Sequence, residues 1–104
     1  MKRIGEATEA QIKQWKSKCT SVHEIIIEDD DVERVCYVKS PDLDILAAAS
    51  KYAADNPVKS GIIMFDSVWL GGDAEIQVND ELKMSAIQKI GDLFRIREAR
   101  IKKL

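Results

Sequence analysis

The chain has 104 residues, 45% apolar and 33% charged, with a net charge of −2. That length allows one domain, and that composition excludes a wholly disordered chain. Its apolar runs fall short of the ~20 residues of a membrane span, and Met1-Lys2-Arg3-Ile4-Gly5-Glu6 lacks the apolar core of a secretory leader. The expected setting is therefore the cytoplasm, with no membrane partner and with Cys19 and Cys36 as reduced thiols.

Residues 1–7 precede the first helix signal and are expected to be disordered. Thr8-Glu9-Ala10-Gln11 fits a capping box, and Ile12, Trp15 and Cys19 follow at helical spacing, which predicts a helix over Thr8–Lys18. Two β-rich runs, Val22–Glu28 and Val32–Lys39, flank Asp29-Asp30-Asp31 and predict a hairpin with an acidic turn. A lone hairpin is marginal in water, so it must pack on helices or pair with another strand. Ser40-Pro41 predicts a helix start, with Leu43, Leu46, Ala47, Ser50 and Ala54 on one face and a break at Asp55-Asn56-Pro57. Pro57 opens a third helix, with Ile62, Ile63, Phe65, Val68 and Trp69 as its apolar side. Asn79 or Asp80 caps a last helix whose stripe runs Leu82, Ala86, Ile90, Leu93, Arg97, Ile101, Leu104, long enough to extend past the core. The expected fold is α+β: one small domain over 1–104, a β-hairpin packed on three to four helices, and a long C-terminal helix.

Few residues offer chemistry. His23, the one histidine, lies inside a strand, and no serine or cysteine near it in sequence completes a nucleophile signature. A cross-strand His23–Cys36 dyad is open on the proposed hairpin, but such neighbours are commoner as packing than as catalysis. Cys19, His23 and Cys36 would need a carboxylate as a fourth zinc ligand, at a spacing that matches no zinc knuckle. The triple-Asp turn lacks the alternating ligands, glycine and closing glutamate of a calcium loop. Gly71-Gly72 follows a helical pattern, and no Lys-Ser/Thr comes after it. It reads as a helix stop with a left-handed glycine, not a phosphate cradle. The chain is thus expected to have no catalytic residue, no metal and no cofactor.

Both ends are basic and the centre acidic: residues 95–104 carry five Lys/Arg against Glu98 alone. No aromatic residues interleave with these cations and the net charge is negative, so a solvated surface is a better reading than a nucleic-acid tail. Candidate partner-binding residues are Trp69 and Leu70 at the Gly-Gly corner, where core packing competes with a hot-spot role, and Ile96, Ile101 and Leu104 on the terminal stripe, which can equally close the chain's own core or a homodimer seam.

The order of a short helix, the "HEIIIEDD" strand, "CYVKSPD", "DNPVKS", "VWLGGDAEI", "NDEL" and a terminal "EARIKKL" resembles the small tail-assembly-chaperone-like proteins of tailed phages and prophages, over roughly Thr8 to Leu104. The resemblance implies a non-enzymatic role in the cytoplasm of a bacterial host. Proteins of this kind hold the long, helical, aggregation-prone tape-measure protein, recruit tail-tube subunits, and are generally absent from the finished particle. Beside it stand two other readings: a structural tail or connector subunit, and a small regulatory adaptor with basic termini.

Overall fold

The computed structural model describes residues 2–93 and 98–104. The fold is α+β, as expected, and helix exceeds strand. The elements are β1 (Lys2–Ile4), α1 (Glu9–Lys18), β2 (Val22–Asp29), β3 (Val32–Lys39), α2 (Leu43–Ser50), α3 (Pro57–Val68), β4 (Trp69–Gly72), α4 (Glu75–Val78) and α5 (Asp80–Gly91). The hairpin is thus half of a four-stranded mixed sheet rather than a free-standing pair.

The capping box forms: Gln11 N–H donates to Thr8 Oγ1 at 3.2 Å, and Thr8 N–H donates to Gln11 Oε1 at 2.9 Å. β2 and β3 pair from Val22–Lys39 to Asp29–Val32, leaving Asp30 and Asp31 as the turn. Asp30 sits at φ 54, a left-handed position that Asp tolerates better than most residues. β2 occupies one edge of β3. The other edge is shared end to end: β1 pairs in parallel with Val32–Arg34, and β4 pairs antiparallel with Cys36–Val38.

Because facing residues on paired strands share a side, Ile25, Cys36 and Val38 point to one face of the sheet. There they meet Phe65 and Val68 of α3, Ile76 of α4, and Leu82, Ala86 and Ile90 of α5. The last three repeat every four residues, so one stripe of α5 enters the core. On the opposite face lie Val35 and Tyr37, both buried. There α1 covers the sheet through Trp15, whose ring lies 5.3 Å from that of Tyr37.

Several elements differ from the sequence reading. Lys2–Ile4 form β1 instead of a disordered lead, because Arg3 ion-pairs with Glu24 at 2.9 Å, Glu6 at 3.1 Å and Glu33 at 3.6 Å. The second helix starts two residues later than Ser40-Pro41 suggests. Its cap is Asp42, whose carboxylate accepts from Ile45 N–H at 2.9 Å. It also ends early, at Ser50. Trp69–Gly72 is strand, not the end of a helix closed by a left-handed glycine. Gly72 has φ 130, outside the αL well, and a Cβ there would lie 2.5 Å from Cys36 Cα. The glycine lets two backbones approach.

The long C-terminal helix is also corrected. α5 has twelve residues and ends at Gly91, and Glu98–Leu104 adopt no regular structure. Gly91 is a poor helix former, and Asp92 just beyond it opposes the negative end of the helix dipole. Ile90 is the last residue of the stripe fully inside the core, and helices this short depend on such packing.

Candidate protein-binding surface

The residues with chemical potential are engaged in the fold. His23 Nε2 lies 3.0 Å from Ser40 Oγ, and His23 faces Val38 across the hairpin. Cys36 faces Ile25 two rungs away, beyond the Glu24–Tyr37 rung, and is fully buried. Burial, and then the negative charge of Asp73, push its thiol up to about 12, so almost none is thiolate at neutral pH. The structure therefore puts His23 and Cys36 on the same face of the hairpin, two rungs apart, without building an activated thiol. Among the described residues no cluster of three or more His, Cys, Asp or Glu side chains is arranged to hold a metal, so Cys19, His23 and Cys36 do not converge as ligands. No helix among the described residues is long and apolar enough to cross a membrane.

This burial gives a direct prediction. In the native protein, a thiol reagent at pH 8 is expected to label the partly exposed Cys19 and to spare Cys36. Cys36 should become reactive only across the denaturant range in which circular dichroism reports unfolding. Fast native labelling at Cys36, read by peptide mass, would contradict the buried placement.

Two charged networks were not legible in the sequence. Arg34 Nε donates to Asp29 Oδ2 at 2.7 Å and Arg34 Nη1 to Asp73 Oδ2 at 2.8 Å. Asp73 is the buried charged residue on the core face, and its Oδ1 also accepts from Glu75 N–H at 3.0 Å. On the other face Tyr37 Oη donates to Glu24 Oε2 at 2.7 Å and accepts from Ala7 N–H at 3.2 Å. Burial, as the larger cause, and the Glu24 contact both raise the Tyr37 phenol above its ordinary value. These groups hold strands together: Arg34 ties the hairpin tip to the β4–α4 turn, and Arg3, Glu24 and Tyr37 tie β1 to the hairpin. They span sequence gaps of up to 39 residues, so no local motif announces them.

The proposed partner residues separate into two groups. Trp69 and Leu70 are half-buried in β4, on the side of β3 away from β2. Trp69 packs against the core with its ring 5.4 Å from that of Phe65, so its placement is that of a fold determinant. Ile101 and Leu104 are fully exposed, at 101% and 108%. Ile96 lies outside the described residues. Arg100, Lys102 and Lys103 surround the two exposed apolar side chains.

A second exposed feature escaped the sequence reading. β2 is the outer strand of the sheet, Ile26 on it is 46% exposed, and a groove of about 320 Å³ runs between β2 and the end of α5, with His23, Ile25, Ile26, Lys89, Asp92 and Leu93 among its lining. The Ile25-Ile26-Ile27 run was visible, but an edge strand cannot be told from a central one without knowing the pairing order. No family model matches this chain, and neither does any curated protein or solved structure.

Proposed function

We propose that this chain is a non-enzymatic protein-binding factor that acts in phage tail assembly by keeping a long helical client, a tape-measure protein, soluble. The observation that carries the reading is the segment Glu98–Leu104. It presents Ile101 and Leu104 to solvent between Arg100, Lys102 and Lys103. Apolar side chains held in water without a packing role are a feature of binding segments, and the cations around them keep the segment soluble and steer it to acidic surfaces. The resemblance in the strand, turn and cap motifs supplies the class of client. The fold beneath is a small α+β platform whose polar residues serve its own strands.

The test is co-expression with the tape-measure and major tail proteins of the same genomic neighbourhood. Soluble tape-measure protein is expected only when the chain is present. Ile101→Asp with Leu104→Asp is expected to abolish that rescue while leaving the thermal melt of the purified chain unchanged, since neither side chain packs on the core. A tape measure that stays insoluble with the wild-type chain would defeat the reading. Recovery of the chain in mature particles would instead favour a tail or connector subunit.

A further inference from the structure

The outer side of β2 has no partner strand among the described residues. Its inner side sets which backbone groups are free. Asp29 and Val32 flank a two-residue turn, and such a pair exchanges both backbone hydrogen bonds. The alternation that follows turns the N–H and C=O groups of Glu24, Ile26 and Glu28 outward. Open edges of this kind are templates for strand addition, and charge is one of the usual guards. The guard here is acidic. Glu28 and Glu24, the latter also bound to Arg3 and Tyr37, are exposed along the edge, with Asp30 and Asp31 at its tip.

That charge pattern selects the occupant. Two β2 edges paired antiparallel about Ile26 would set Glu24 of each copy against Glu28 of the other, a like-charge rung on both sides. The chain also carries a segment of the opposite sign. Glu98–Leu104 has three cations and two fully exposed apolar side chains, and Ile101 and Leu104 lie clear of their own copy's edge.

We infer that Glu98–Leu104 of one copy adds as a strand to the open edge of β2 in a second copy. Parallel addition with Ile101 opposite Ile25 places Arg100 against Glu24, Lys102 between Glu24 and Glu28, and Lys103 diagonal to Asp29. It creates no like-charge rung, whereas the antiparallel alternative with the same Ile101–Ile25 rung opposes Glu98 to Glu28. Ile101 then points to the face of the sheet where the groove beside Leu93 opens. This self-association uses the segment proposed above to hold the client, so the two compete for it; it is tested on the purified chain alone, where its failure leaves the client-rescue test standing.

Sedimentation of the full chain over a concentration series is expected to show self-association that weakens as salt rises. Reversing the segment at the position opposite Ile26 (Lys102→Glu) or reversing the edge (Ile26→Lys with Glu28→Lys) is expected to weaken it roughly tenfold or more. Mixing the two reversed proteins should restore a hetero-complex, because each supplies the charge the other has lost. The substituted sites are exposed and leave the core untouched, and a thermal melt checks that each variant is folded. Amide exchange at Glu24, Ile26 and Glu28 should slow on association. The inference fails if the wild-type chain stays monomeric up to ~1 mM. It also fails if association survives removal of residues 98–104. Slow exchange at those three amides in a monomer would overturn it as well, by placing the segment on its own chain.

Discussion

Gly72→Ala is expected to cost roughly 3 kcal/mol or more, and Gly72→Val to leave no cooperative melt. Two independent penalties fall on one atom. At φ 130 an L side chain enters a backbone region that only glycine occupies readily. A Cβ there would also lie 2.5 Å from Cys36 Cα and 2.6 Å from the Val35 carbonyl oxygen. Both are backbone atoms of the central strand, so no side-chain rotation relieves the overlap. The loss is large against the total stability of about 5–15 kcal/mol usual for a domain. Relief by detaching β4 would uncover the edge of β3 over Cys36–Val38 and withdraw Trp69 from Phe65. Gly91→Ala is the control. A Cβ there meets nothing within 4 Å, and replacing a helical glycine is expected to be neutral or to add up to about 1 kcal/mol. Urea titrations of both variants measure the contrast. A Gly72→Ala variant within about 0.5 kcal/mol of wild type would show that β4 does not hold this register.

What the chain revealed in advance follows the range of the interactions. The capping box at Thr8, the acidic turn and the cap at Asn79 or Asp80 are local; the box appears where the sequence places it, Asn79 proves to be the cap, and the turn is shorter by one residue because Asp29 pairs with Val32 in the hairpin. β4 is the instructive failure. Trp69-Leu70-Gly71-Gly72 continues a helical apolar pattern, and a pair of glycines after a helix normally signals its end. Only the open edge of β3, far away in sequence, makes strand the better state. β1 is similar: three residues with no strand signal of their own are ordered by Arg3 against carboxylates from three other segments. The terminal helix fails for the opposite reason. Its stripe continues in the sequence past Ile90, but a stripe yields a stable helix only where there is a surface to bury it. Of the candidate site, the exposed Ile101 and Leu104 were legible as apolar residues in a basic setting. The open edge of β2 was not, since it depends on strand order.

Asp73→Ala is expected to destabilise the chain by about 2–4 kcal/mol, with Asp73→Asn costing less. The carboxylate is 8% exposed and performs two tasks. Oδ2 accepts from Arg34 Nη1 at 2.8 Å, and Oδ1 accepts from Glu75 N–H at 3.0 Å at the start of α4. Alanine removes both, frees an amide that has no other side-chain cap on that short helix, and leaves a void beside the core. Asparagine keeps Oδ1 as an acceptor for Glu75 at nearly the same volume, but loses the charge and, with Nδ2 in place of Oδ2, the hydrogen bond from Arg34. The figure stays below the top of the range for broken buried pairs because Arg34 is 21% exposed and retains Asp29 at 2.7 Å. A double-mutant cycle with Arg34→Met separates the tasks. If the ion pair dominates, Asp73→Asn should cost little once Arg34 is gone, whereas the cost of losing the Glu75 cap in Asp73→Ala should persist. Additive effects of Asp73→Asn and Arg34→Met would mean that the hairpin tip and the β4–α4 turn are held by backbone pairing, including Asp73 N–H to the Val35 carbonyl, and not by charge.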